Sequence, residues 1–93
     1  MLEKNIEKKL VKAVKDKGGL CLKLNSLSMI GIPDRLILMN KGKIGFVELK
    51  QKGLKPRPIQ IRRIKDLRKL GFKCFVIDDV ERIGGVIDEI CST

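Results

Sequence analysis

Ile6, Leu10, Ala13 and Val14 recur at the spacing of one helical face, with lysines filling most positions between them. That predicts an amphipathic helix over residues 3–17, stopped by Gly18-Gly19. "LCLKL" (20–24) reads as a strand, and a loop follows over 25–33. "DRLILMN" (34–40) and "KIGFVELK" (43–50) read as two strands joined by a short "NKGK" turn. "QKGLKPRP" (51–58) carries glycine and proline and breaks the pattern. "IQIRRIKDLRKL" (59–70) predicts a second amphipathic helix ending at Gly71. "FKCFVID" (72–78) predicts a fourth strand, apolar enough for the middle of a sheet. The tail suggests a short helix interrupted by Gly84-Gly85. The order α-β-β-β-α-β-(α) predicts an α/β fold.

Strand periodicity decides where the charges fall. Alternation sets Ile44, Phe46, Glu48 and Lys50 on one side of the third strand, and Gly45, Val47 and Leu49 on the other. With Lys41-Gly42 as turn centre, Asn40 pairs with Lys43 and Asp34 falls opposite Leu49. A slip of one residue puts it opposite Lys50. Either register brings Asp34 beside Glu48 and Lys50, within cross-strand reach. Two neighbouring carboxylates repel unless a cation lies between them. An all-oxygen site with room for water suits Mg²⁺ or Mn²⁺, and a lysine beside it can offset phosphate charge or orient water. The same groups also suit a surface ion-pair ladder, Asp34 with Lys50 or Arg35, worth ~0–1 kcal/mol. Geometry alone leaves both open.

Composition narrows the chemistry. Ninety-three residues suffice for one domain with one small core. No apolar run approaches a membrane span, and "MLEKNIEKKL" lacks a signal-peptide core, so the expected location is the cytoplasm. Cys21, Cys74 and Cys91 form no Cys-x-x-Cys pair, and no histidine exists to complete a zinc site. Cys21 and Cys74 read as small buried hydrophobes. The net charge of +10 suggests a polyanionic partner, nucleic acid above a membrane surface, with plain solubility as the competing reading. Without His, Tyr or Trp, any phosphodiester chemistry falls to carboxylates and lysines.

In helix 59–70, Gln60 points with Ile64 and Leu67 towards the sheet, from the first turn. In helix 3–17, Glu7 flanks the Leu10/Val14 edge and Glu3 lies close to the same stripe. Together with Gly18-Gly19, Lys23, "GIPDR" (31–35), "FVELK" (46–50) and "KPRPIQ" (55–60), this arrangement resembles the PD-(D/E)xK nuclease superfamily. Within it the chain is similar to the stand-alone VRR-NUC domains (virus-type replication-repair nucleases), from about residue 3 to 82. The resemblance implies a single restriction-endonuclease-like domain, an αβββαβ core with a mixed four-stranded sheet. It places the metal ligands on Asp34, Glu48 and the Leu49 carbonyl, the catalytic lysine on Lys50, and outer site residues on Glu7 and Gln60. It also implies a homodimer acting on branched DNA such as Holliday junctions. One departure stands out: "NSLSMI" (25–30) is apolar where a glycine- or arginine-rich loop is expected.

The resulting expectation is a Mg²⁺-dependent DNA endonuclease, with Mn²⁺ as substitute. Lys52, Lys55, Arg57, Arg62 and Arg63 follow the active strand and are candidates for a phosphate-binding rim. Met29, Ile30 and Ile32 form an apolar stretch suited to a dimer contact or to packing beneath the sheet. The competing readings are a non-catalytic basic DNA-binding module and an accessory subunit of a replication complex.

Overall fold

The N-terminal periodic stretch forms helix α1 (Glu3–Asp16) in the computed structural model, which describes residues 1–92. Ile6, Leu10 and Val14 are fully buried along one side. Gly18, at φ +82°, lets its own amide and that of Gly19 turn back onto the Lys15 and Val14 carbonyls, which ends the helix. Strands β1 (Leu20–Lys23), β2 (Arg35–Met39) and β3 (Lys43–Leu49) follow, then helix α2 (Pro58–Lys69), strand β4 (Lys73–Ile77) and helix α3 (Ile83–Cys91). The four strands lie in the order β1-β2-β3-β4, with β1/β2 and β2/β3 antiparallel and β3/β4 parallel. The fold is therefore α/β around the expected mixed four-stranded sheet.

One face of the sheet carries the main core. Ile37, Met39, Val47, Leu49 and Ile77 meet Ile6, Leu10 and Val14 of α1 and Val86, Ile87 and Ile90 of α3. Each such fully buried aliphatic side chain contributes roughly 1.5–3 kcal/mol. Gly45 makes the close approach of α3 possible, because a Cβ there would lie 2.5 Å from the Ile90 side chain. Helix α2 lies on the opposite face, where it buries only Gln60 and Ile64. Pro58 occupies its first turn, where a missing amide hydrogen costs nothing.

Four expectations change. The β2–β3 turn spans Asn40, Lys41 and Gly42, with Lys41 at φ 64° and Gly42 at φ 71°, so Met39 pairs with Lys43. Continued one residue beyond Arg35↔Val47, this register sets Asp34 beside Glu48 rather than Leu49 or Lys50. The two carboxylates are direct cross-strand neighbours.

Strand β4 is an edge strand, not a central one. It is apolar because helices cover both of its faces, not because strands flank it. Two of its carbonyls are taken by arginines instead: Arg68 donates to Cys74 O (Nη2, 2.6 Å) and Arg82 to Val76 O (Nη1, 2.6 Å). Such charged cover keeps an edge from pairing with another chain.

Gly84-Gly85 does not break the last helix. Residues 80–82 form a single 3-10 turn, capped by the Asp79 side chain accepting from Glu81 N, and α3 runs unbroken through both glycines. Burial of Ile83, Val86, Ile87 and Ile90 outweighs the low helix propensity of two glycines, roughly 1 kcal/mol each. Cys74 is buried as expected, whereas Cys21 is only half-buried and Cys91 is exposed.

Candidate active site

Asp34 stands at the mouth of β2, where its backbone carbonyl accepts from Leu24 N at 2.8 Å. Its Oδ2 accepts from Leu49 N at 2.9 Å, which turns the carboxylate onto the end of β3. Strand alternation sends Glu48 to the α2 side of the sheet, where its side chain is 2% exposed. Glu48 Oε2 accepts from Gln60 Nε2 at 2.9 Å, and Lys50 Nζ stands 3.5 Å from the same oxygen. Gln60 is fixed in turn, since its Oε1 accepts from Arg57 N at 2.8 Å at the start of α2. One side chain thus closes a helix terminus and aims a carboxylate.

Glu48 Oε1 is buried and has no hydrogen-bond partner among the described residues. Burial is the main reason its carboxyl is pushed up to about 7, the neighbouring Asp34 charge adds to the rise, and Lys50 partly opposes it. An orphaned oxygen on a buried acid is costly. A divalent cation on that oxygen would relieve the desolvation and the Asp34–Glu48 repulsion together. The donor set fits Mg²⁺ or Mn²⁺: two carboxylates and the Leu49 carbonyl, with water completing the shell. Among the described residues no group of three or more His, Cys, Asp or Glu side chains could hold a metal. Any ion here would therefore lean on the backbone and on water as much as on the acids.

The α1 acids occupy the other wall. A cavity of about 320 Å³ opens beside Asp34, lined by Glu3, Lys4, Glu7, Lys23 and Asn25 among others. Glu7 pairs with Arg35 Nη2 at 3.1 Å, and Arg35 Nη1 also reaches Cys21 O at 3.4 Å. The carboxyl of Glu3 is raised by partial burial and then by the Asp34 charge, with Lys50 opposing. Glu3 therefore lies within the electrostatic reach of the site, while Glu7 is braced on a guanidinium. A second hollow of about 270 Å³, lined by Phe75, Arg82, Gly85, Val86 and Glu89, shares no residue with this one.

Asp34, Glu48 and Lys50 come together as the spacing suggested, and Leu49 and Gln60, which the resemblance implied, adjoin them. The basic rim divides. Lys55, Arg57 and Arg62 are exposed and form no ion pair among the described residues. Lys52 is held by Asp79 at 2.7 Å. Arg63 donates to Ile30 O at 2.9 Å and stands 3.4 Å from Asp66. Lys23, one of the residues that carry the resemblance, lines the cavity, and so do Lys4 and Asn25, for which residue spacing gives no signal because it does not bring the start of α1 against the end of β1. The orphaned Glu48 oxygen also had no signal in the sequence.

No family model matches the chain. It is 45% identical over 76 residues to a protein named "Putative nuclease p44" from Acyrthosiphon pisum secondary endosymbiont phage 1, which covers 82% of each chain. A solved structure described as "VRR_NUC domain" superposes with a TM-score of 0.86 at 32% identity, covering 92% of this chain and 94% of that one. A second, "VRR_NUC domain protein", shares the fold with a TM-score of 0.77 at 19% identity, over 97% of this chain and 88% of the other. With the αβββαβ order and the Asp34–Glu48–Lys50 constellation in place, these likenesses make the chain a member of the VRR-NUC nuclease family.

Proposed function

We propose that this protein is a Mg²⁺-dependent DNA endonuclease, able to use Mn²⁺, which hydrolyses phosphodiester bonds at the Asp34–Glu48–Lys50 site. The observation that carries the reading is the buried, unpartnered Oε1 of Glu48 beside Asp34. When bound, the metal supplies charge neutralisation at the phosphate and a more acidic water. Asp34, oriented by Leu49 N, and Glu48, oriented by Gln60, hold that position in advance. Lys50, 3.5 Å from Glu48, offers hydrogen bonds to a non-bridging phosphate oxygen or to the attacking water. Lys55, Arg57 and Arg62 supply affinity for the backbone without reading sequence.

The enzyme acts as a homodimer on branched DNA such as a four-way junction, in a reducing cytoplasm that keeps its three cysteines free. A chain with principal extents of 32 × 31 × 22 Å is too small to hold two duplexes alone. The face of β1–β3 left open by α2 supports a second copy. The observed register aligns Leu20, Leu22, Leu36, Leu38, Ile44 and Phe46 there, with Leu20 60% exposed. Phe72 packs edge-on to Phe46 at its border. Leu20, Leu22 and Ile44 are exposed on this face and Phe72 at its border, a contiguous apolar surface of the kind that pairs with itself across a two-fold.

The test is incubation of purified protein with labelled four-way junction and linear duplex, with and without Mg²⁺. Metal-dependent cutting that favours the junction is the expected result. Salt-sensitive binding without cutting at any metal concentration would instead identify a non-catalytic DNA-binding module.

A further inference from the structure

Residues 25–33 form an excursion that leaves and returns at the catalytic acid itself. Its neck is the Leu24 N–Asp34 O hydrogen bond of 2.8 Å, and Asn25 lines the same cavity as Asp34. The returning limb is braced against α2. Arg63 Nε donates to Ile30 O at 2.9 Å, and Gly31, at φ +86°, lies so close that a Cβ would stand 2.9 Å from Ile59 O. At the tip, Met29 N donates to Ser26 Oγ at 3.1 Å, which shapes a turn over 26–29. What this turn presents is aliphatic: Leu27 is 107% exposed, Ile30 74% and Met29 45%. Nothing among the described residues covers Leu27, and Ile30 and Met29 remain largely open to solvent.

The geometry points to this tip as a wedge that inserts between bases at a DNA branch point, with Leu27 as its leading side chain and Ile30 and Met29 behind it. The inference rests on the branched-DNA endonuclease reading above and adds the element that recognises the branch. Three observations select DNA as the occupant. The loop is rooted at Asp34, so a strand lying at the site must pass its base. The tip stands about four residues from the neck, hence within roughly 13 Å or about four nucleotide steps of the site. The exposed cations Arg57 and Arg62 neighbour in the chain the two α2 residues that brace the loop, Ile59 and Arg63, so phosphate-binding charge shares the helix on which the loop rests.

Leu, Ile and Met are the residue types that unstack base steps in this way. Burial of one or two aliphatic side chains returns about what parting a stacked step costs, so insertion into continuous duplex is nearly neutral. At a branch point the stack is already interrupted, that cost falls, and insertion becomes favourable. Discrimination follows without any base-specific contact or aromatic side chain.

The experiment uses the full chain with a four-way junction carrying 2-aminopurine at the branch point, in EDTA, so that binding is read without cleavage. Wild type should raise the fluorescence at the branch and leave a linear duplex labelled at the same step unchanged. Leu27→Ser should abolish the rise and lower the ratio of junction to linear kcat/KM about tenfold, and Leu27→Met should restore both. A wild type that binds the junction with no rise overturns the wedge, whether or not the protein cuts DNA. A wild type that raises the fluorescence but never cuts supports the wedge and removes the endonuclease reading. Sedimentation of Leu27→Ser as a lighter species than wild type would also overturn it, by making the tip a protein interface.

Discussion

Gln60 reaches in two directions at once: its Nε2 donates to Glu48 Oε2 at 2.9 Å and its Oε1 accepts from Arg57 N at 2.8 Å. The start of α2 and the orientation of the buried acid are therefore one structural event. Gln60→Ala should destabilise the fold by about 1–2 kcal/mol through the lost cap and lower kcat at least tenfold, with DNA affinity nearly retained. Gln60→Glu can still accept from Arg57 N but loses the donor to Glu48 and adds a like charge. It should fold and remain inactive. Thermal melts and single-turnover cleavage check both, and full activity in Gln60→Ala would sever the proposed link.

The raised carboxyl of Glu48 makes metal-free stability depend on pH. The folded state keeps a proton up to about pH 7, while the unfolded chain releases it near 4.5. Between those values the native state binds more protons, so stability falls as pH rises and levels off above 7. The loss is on the order of 3 kcal/mol. Melts in EDTA should show Tm dropping from pH 5 to 8, Mg²⁺ restoring part of it at pH 8, and Glu48→Gln removing this component. A wild-type Tm that climbs steadily over that range would contradict the buried-acid account.

Asp34→Ala and Glu48→Ala should each lose cleavage while binding DNA, because the acids serve chemistry and the rim serves affinity. Lys50→Ala should lower the rate by about 10²-fold or more. Full activity in any of the three, at matched protein and Mg²⁺, would remove the site.

Affinity for duplex should fall steeply with salt. Arg57→Ala and Arg62→Ala should each reduce the slope of log affinity against log salt by about 1. Lys52→Ala should change it less, since that ammonium already faces Asp79 at 2.7 Å. Equal effects from all three would mean that the ion pair opens on binding.

Light scattering at micromolar concentration should give about twice the 10.5 kDa chain mass. Leu22→Glu and Leu38→Glu, on the open sheet face, should give the single-chain mass without loss of helix content. A dimer that survives both substitutions would move the interface elsewhere.

Periodicity carried most of this fold. The α1 stripe Ile6–Leu10–Val14 and the alternation of Val47 and Leu49 against Glu48 are written in residue spacing, and both formed. The hairpin register was not, because Asn40-Lys41-Gly42 supports a two- or a three-residue turn, and only a left-handed Lys41 decides between them. The central character read into β4 failed for a related reason. Apolar composition reports covered faces, and arginines from other elements can satisfy an edge. The open β1–β3 face was equally illegible, since Leu20 and Leu22 read like any core strand until α2 is seen to lie elsewhere.

The Leu24–Asp34 neck has a consequence for how such an enzyme can diversify. Because the two ends are hydrogen-bonded to each other, the segment between them is a closed appendage, and its length is uncoupled from the placement of Asp34. Doubling such a loop costs only about 0.6 kcal/mol in closure entropy. New sequence can therefore be exchanged at residues 26–29 as a cartridge, altering what the enzyme touches while the hydrolytic machinery keeps its geometry.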